Sequence, residues 1–211
     1  MKTYLFDFDG TLVDSMPVYA TSMLKILDDY GIKYNDDIIK RITPLGITGT
    51  AEYYVKLGVP LSVDGIIEIM KRDMLNEYLY NIEAKPNVIS TLKALKQGGA
   101  ELNVLTASPH ISLDACLKRL GIFELFSNVW SCDDFATTKS DPAIYKMVAE
   151  RLGSGISNIL FADDNFNALK TAKSVGMTVC GVYDKTSDEY TDEIKELADF
   201  YISDFSQLID G

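Results

Sequence analysis

The stretch KTYLFDFDGTLVDS, residues 2–15, places two carboxylates, Asp7 and Asp9, two positions apart at the end of an apolar run. Buried carboxylates are costly unless they are paired, hydrogen-bonded or bound to a cation. Further polar groups close other apolar runs or follow them: Thr106 and Ser108 in ELNVLTAS, Lys139 in the loop after NVWSC, and the pair Asp163–Asp164 in NILFADD. Carboxylates with no His or Cys beside them form an oxygen-only donor set, which suits a hard cation such as magnesium. Two acids, a lysine and a hydroxyl around that ion describe a phosphoryl-transfer site. One carboxylate can attack phosphorus. The other can protonate the leaving alkoxide and then deprotonate water. The hydroxyl and backbone amides can hold the oxygens on which charge develops.

These residues act together only if the chain brings them to one edge. Residues 3–8, TYLFDF, are strand-like. A strand running through both aspartates would point them to the same side, and a bulge at Gly10 would turn Asp9 toward a ligand. From Pro17 to Tyr30 the pattern becomes helical, with Val18, Met23, Leu24, Ile26 and Leu27 recurring at roughly helical spacing and Gly31 as the stop. Residues 36–43, 48–57 and 62–80 predict three more helices, with no strand between 17 and 80. After a helix over 87–97, strands and helices alternate: ELNVLTA, 109–120, NVWSC, 142–152, NILFAD, 167–175, MTVCGVY and DFYIS. Such a succession predicts an α/β fold with a mostly parallel sheet covered on both faces. The expected architecture is a Rossmann-like parallel sheet core, residues 1–14 and 83–211, carrying an inserted all-helical domain over 15–82. Working groups in such sheets gather at the carboxyl ends of the strands, which is where the polar residues fall.

The chain has 211 residues, enough for one core and a small insert, and 47% of them are hydrophobic. A net charge of -11 speaks against a general nucleic-acid or anionic-membrane binder. Cys116, Cys132 and Cys180 are odd in number and lack CxxC spacing, as expected of reduced thiols in a cytoplasmic protein. The segment before Asp7 has one lysine and no long apolar run, so no signal peptide is expected, and no membrane span is expected elsewhere. The sequence leaves the oligomeric state open.

FDFDGTLVDS resembles the first motif, DxDGT, of the haloacid dehalogenase superfamily, phosphatase branch. LTAS is similar to the second motif, TKSDPAIY to the third (usually GKPxPxxY), and FADDN followed by AKSVGM to the fourth. The helical block stands where the phosphoglycolate phosphatase and β-phosphoglucomutase-like group carries a helical cap. The resemblance implies a magnesium-dependent phosphatase acting on a small phosphorylated metabolite through an aspartyl-phosphate. It implies that Asp7 is the nucleophile and a metal ligand. Asp9 becomes the general acid/base, with its carbonyl on the metal. Thr106, Ala107 and Lys139, with Phe8 and Gly10, become the phosphate-binding set. Asp164 becomes the chief second metal ligand, and Asp163 occupies a position that is Gly, Glu or Asp in relatives.

Several residues depart from the family pattern or bear on rival functions. Ser140 replaces the usual proline and Thr138 the usual glycine around Lys139, so a looser loop is expected. Tyr19 and Gly49 stand where β-phosphoglucomutases carry a histidine and an arginine, which disfavours the alternative of a sugar phosphomutase. Asp9 disfavours dehalogenation. A receiver-like signalling domain shares the acids, hydroxyl and lysine, but is shorter, lacks the insert and puts its acidic pair before the phospho-acceptor. In the cap, Lys40 and Arg41 are the nearest cations for a second anionic group, and the loop over 43–50 is the candidate for substrate selection. His110 reads as an exposed structural residue, and Asp163–Asp164 as an N-cap pair for the helix that follows.

Overall fold

The computed structural model describes residues 2–209. Six parallel strands form one sheet: β1 (Thr3–Phe6), β2 (Glu101–Thr106), β3 (Asn128–Ser131), β4 (Ile159–Asp163), β5 (Thr178–Val182) and β6 (Phe200–Ile202). Their order is β3-β2-β1-β4-β5-β6. Runs such as TYLF and ILFAD are buried at every position, as a parallel sheet covered on both faces requires. The order is doubly wound. The chain builds outward from β1 through β2 to β3, then returns to the other side of β1 with β4. Such a reversal leaves a crevice beyond the carboxyl ends of the two strands that flank it, here β1 and β4.

The chain divides into two compact units, one comprising the residues up to Asp14 and from Ile82 onward, the other Ser15–Asn81. The second unit is helical: α1 (Met16–Asp29), α2 (Ile38–Ile42), α3 (Gly46–Leu57) and α4 (Val63–Tyr80). It has its own core, built from Met23, Leu27, Ile42, Tyr54, Ile66 and Met70. Tyr54 is fully buried, and its hydroxyl donates to the Met23 carbonyl at 3.0 Å, which satisfies the polar end of a core aromatic. At the start of α4 the Ser62 hydroxyl accepts from the Gly65 amide at 3.1 Å, a cap of the kind whose loss costs about 1 kcal/mol.

In the α/β unit the sheet is covered by α5 (Val88–Gln97), α6 (His110–Arg119), α7 (Pro142–Leu152), α8 (Phe166–Ser174) and α9 (Thr191–Leu197). Leu5, Leu105, Phe161 and Val179 from four strands meet Ile144, Tyr145 and Val148 of α7 and Leu169 of α8 in one cluster. The α7 residues recur at i, i+1 and i+4, so one helical face supplies the contact. All three cysteines are buried free thiols.

Two elements differ from the sequence expectation. The β1 ladder ends at Phe6 rather than running through Asp9. The bulge expected at Gly10 is instead a tight turn: Gly10 has φ +75° and its amide donates to Val13 O at 3.0 Å, while Phe8 O accepts from Leu12 and Val13 at 2.8 and 3.1 Å. Helix α9, sequence TDEIKEL, was not expected. It has no apolar stripe, and Ile194 is the residue it buries. Its docking instead depends on Gly181 of β5. A Cβ at that position would overlap the Ile194 side chain and lie 3.0 Å from the Tyr201 ring. Gly181→Ala should therefore destabilise the α/β unit by about 1–3 kcal/mol, the usual consequence of overpacking. Urea denaturation checks this, and an unchanged midpoint would contradict the close approach.

Candidate active site

Asp7 is the first residue past β1, still tied to the sheet by its amide, which donates to Ala162 O at 2.9 Å. Its carboxylate is 4% exposed and Asp163, the last residue of β4, is fully buried. Both are held by one ammonium: Lys139 Nζ donates to Asp7 Oδ1 at 2.6 Å and to Asp163 Oδ2 at 2.7 Å. The loop carrying Lys139 lacks the proline and glycine of the motif it resembles but is pinned otherwise. Thr137 Oγ1 donates to Asp141 Oδ2 at 3.0 Å, Asp141 caps α7 through the Ala143 amide at 2.9 Å, and the Tyr145 hydroxyl lies 3.0 Å from the Lys139 carbonyl. The looseness expected of TKSDP is thus countered by three hydrogen bonds.

Asp164 is gripped by hydroxyls at both oxygens. Thr11 Oγ1 donates to Oδ1 at 3.0 Å and Ser187 Oγ to Oδ2 at 3.2 Å, while the Asp164 amide donates back to Thr11 Oγ1 at 3.1 Å. Gly10 lies directly against this carboxylate. A Cβ there would come within 2.8–2.9 Å of all three carboxylate atoms. Gly10 is therefore needed both for its positive φ and for space.

Asp9 lies inside the turn after β1, in a different setting. Ser108 Oγ donates to its Oδ2 at 2.5 Å, and the Ser108 amide donates to the buried Thr106 hydroxyl at 3.1 Å. One short loop after β2 thus links Thr106, Ala107 and Ser108 to Asp9. Phe8, between the two aspartates, is fully buried, so any group it offers a ligand belongs to its main chain.

The charge balance of the cluster is uneven. Asp7, Asp163 and Asp164 are buried, and each brings a carboxylate oxygen within 4.8 Å of the others. Burial pushes the Asp7 carboxyl well above its usual range, with Asp163, Asp164 and Asp9 adding to this and Lys139 opposing it. Burial, helped by Asp163 and opposed by Lys139, pushes Asp164 up to about 7. Burial would pull the Lys139 ammonium down, but Asp163 and Asp7 outweigh it and hold the ammonium well above its ordinary range. One ammonium does not balance three carboxylates. A divalent cation would, and the all-oxygen donor set fits magnesium.

Several groups lie apart from this cluster or were not assigned to it from sequence. His110 opens α6, with its ring nitrogens 2.9 Å from Asp114 and 2.8 Å from Asp134. Arg41, the cap cation singled out for a second anionic group, is engaged by Asp37 at 2.8 Å on the surface of the helical unit. The N-cap of α8 is not the acidic pair but Asn165, whose side chain accepts from Asn167 and Ala168, and Asp163 Oδ1 accepts from the Asn165 amide at 2.7 Å. Thr11, Ser108 and Ser187 carry no role from sequence alone. Thr11 is the threonine of the DxDGT motif and Ser108 ends the LTAS motif, so both had a local signal, but Ser187 lies in a polar stretch without one.

The haloacid dehalogenase-like hydrolase family matches residues 1–176. The chain belongs to this family. It is 30% identical over 182 residues to pyrophosphatase PpaX of Bacillus velezensis, covering 84% of this chain and 81% of that one. It is 28% identical to a phosphoglycolate phosphatase of Psychrobacter arcticus, covering 98% and 93% respectively. A solved structure from Thermotoga maritima, named as a candidate β-phosphoglucomutase, superposes with a TM-score of 0.87 at 22% identity, covering 100% of this chain and 97% of that one. At that identity the likeness is one of fold. Membership of the dehalogenase-like hydrolases makes the chain an enzyme and sets aside the receiver-like alternative. Among the described residues no helix is long and apolar enough to cross a membrane.

The charge imbalance has a consequence for stability. Asp164 titrates near 7 when folded against 3.8 ordinarily, so between those values the folded state holds more protons than the unfolded one. Without a divalent cation, stability is fully present below about pH 4 from this group and is lost as pH rises toward 7. Thermal melts in chelator should fall across that window. At pH 8, magnesium at about a hundredfold excess over its dissociation constant should raise Tm by about 5–10 °C. A flat profile in chelator, or a melt at pH 8 indifferent to magnesium, would count against a cation at these carboxylates.

Proposed function

We propose that this hydrolase is a magnesium-dependent phosphatase that cleaves a small phosphorylated metabolite through an aspartyl-phosphate on Asp7. The observation that carries the reading is the unequal treatment of the two motif aspartates. Asp7 sits on an ammonium at 2.6 Å, and Asp9 on a serine hydroxyl at 2.5 Å. A carboxylate held on an ammonium in the buried cluster is suited to attack, and a second one that accepts from a neighbouring hydroxyl can exchange protons.

Magnesium would be held by the carboxylates of Asp7 and Asp164 and by the Asp9 carbonyl, with Asp163 adjacent, and when bound would offset phosphoryl charge and keep Asp7 ionised. In the first step an Asp7 oxygen forms a bond to phosphorus, the ester P–O bond breaks, and Asp9 gives its proton to the departing oxygen. In the second, Asp9 takes a proton from water as the water oxygen bonds to phosphorus. The bond from Asp7 to phosphorus breaks, inorganic phosphate leaves and both aspartates return to their starting forms. Lys139, Thr106, the Ala107 amide and the main chain at Phe8 hold the equatorial oxygens as charge develops on them, whereas the Gly10 amide is taken by Val13 O.

The relatives named as a pyrophosphatase and a phosphoglycolate phosphatase support hydrolysis as the outcome. Tyr19 and Gly49, in place of a mutase's histidine and arginine, favour water over a sugar as the acceptor. We read the helical unit Ser15–Asn81 as the family's cap and as the element that selects among phosphorylated metabolites. The buried free thiols accord with a cytoplasmic setting.

Hydrolysis of p-nitrophenyl phosphate tests the reading. Turnover should require magnesium. Asp9→Asn should lower kcat by about 10²–10⁴, which is roughly 3–5 kcal/mol of barrier. Asp7→Asn should abolish turnover, and a single phosphoryl group should be trapped on the Asp7 peptide of the unsubstituted enzyme. Unchanged turnover in Asp9→Asn, or substantial hydrolysis by Asp7→Asn, would sink the respective assignment.

A further inference from the structure

Lys85 precedes Pro86 at the approach to α5 and has no part in the chemistry above. Its side chain is only 15% exposed. The ammonium donates to the Gly10 carbonyl at 2.5 Å, the Tyr183 carbonyl at 2.7 Å and Asp184 Oδ2 at 2.9 Å, so all three of its N–H groups are used. Its root is fixed too, because the Lys85 amide donates to Leu12 O at 3.0 Å. The lysine therefore joins the turn after β1 to the loop after β5.

Both of those segments end on Asp164. On one side, Gly10 abuts its carboxylate and Thr11 donates to Oδ1. On the other, Asp184 Oδ1 accepts from the amide and hydroxyl of Thr186, and the Asp184 carbonyl accepts from the Ser187 amide at 3.1 Å. That arrangement presents the Ser187 hydroxyl to Asp164 Oδ2. A single half-buried cation thus fixes the spacing of the two hydroxyls that orient one carboxylate.

We propose that Lys85 is a positioning residue for the cation site: by clamping the Gly10 turn to the Asp184 loop it sets the direction of the Asp164 carboxylate and hence the affinity for a divalent ion. The inference rests on the reading of Asp164 as a cation ligand. Groups that orient metal ligands commonly contribute 10–100-fold to metal affinity. Charge and geometry predict opposite signs here. Removing a nearby ammonium would tighten cation binding through the field alone, whereas releasing the clamp weakens it.

The test is titration of the full chain with Mn²⁺, following free Mn²⁺ by electron paramagnetic resonance. Lys85→Met should bind Mn²⁺ about 10–100-fold more weakly. The Mg²⁺ concentration for half-maximal p-nitrophenyl phosphate hydrolysis should rise in parallel, while the substrate KM at saturating Mg²⁺ stays unchanged. Folded Lys85→Met that binds Mn²⁺ as well as or better than the unsubstituted chain overturns the clamp. Should Lys85→Met fail to fold, Ser187→Ala removes the last link without changing charge: weaker Mn²⁺ binding supports the proposal and equal binding overturns it. Failure of the unsubstituted chain to bind Mn²⁺ would remove the reading of Asp164 as a ligand, and the clamp with it, and is distinct from failure of the clamp alone.

Discussion

One ammonium shared by two buried carboxylates is the interaction on which the site depends. Lys139 meets Asp7 and Asp163 at 2.6 and 2.7 Å, and removing one member of such a buried set typically destabilises by about 3–5 kcal/mol because a charge is left uncompensated. The arrangement requires β1 and β4 to be neighbours, parallel and in one register. Phe6 pairs with Ala162, so the residues that follow, Asp7 and Asp163, arrive level at the strand ends. A slip of one residue would send one carboxylate to the opposite face of the sheet. The apolar runs TYLF and ILFAD, buried on both faces, resist that slip.

The doubly wound order supplies the remaining constraint. The order reverses between β1 and β4, and in doubly wound sheets such a reversal leaves the crevice in which ligands bind. Three segments contribute to holding Asp164 or abutting it: its own position after β4, the Gly10–Thr11 turn after β1, and the Ser187 loop after β5. The loop after β2 supplies Ser108 to Asp9. No single segment contains the site: Asp7 and Asp163 share the Lys139 ammonium from the loop after β3, while Asp164 and Asp9 are met by hydroxyls from the segments after β1, β5 and β2.

What the sequence made legible follows from that distribution. Motifs that cluster chemistry at a strand end, such as FDFDG, LTAS and FADDN, stand out because a carboxylate or hydroxyl interrupts an apolar run. The parallel core was legible for the same reason, since doubly buried strands read as continuous apolar segments. Groups that act across long separations had no local mark. Lys85 and Asp184 are 99 residues apart, and each looks like an ordinary surface charge in its own neighbourhood. Helix α9 was hidden because a short helix burying Ile194 has no periodic stripe. The end of β1 was misplaced because aromatic and apolar character continues to Phe8, whereas the ladder stops where pairing with β2 and β4 stops, at Phe6.

That early end of β1 explains how two chemically identical side chains come to differ. In a continued strand, positions two apart share a face and an environment, and Asp7 and Asp9 would both sit in the field of Lys139. The ladder instead releases the chain after Phe6, with Asp7 still held by the Ala162 carbonyl, and Asp9 lies inside the Phe8–Val13 turn, where it meets the loop after β2. One carboxylate thereby stays in the buried charge cluster and the other meets a hydroxyl at its margin. The same turn requires a residue without a Cβ, because Gly10 is pressed against Asp164. The glycine after the second aspartate therefore does two things at once: its positive φ closes the turn in which Asp9 sits, and the missing Cβ leaves room for the third acid.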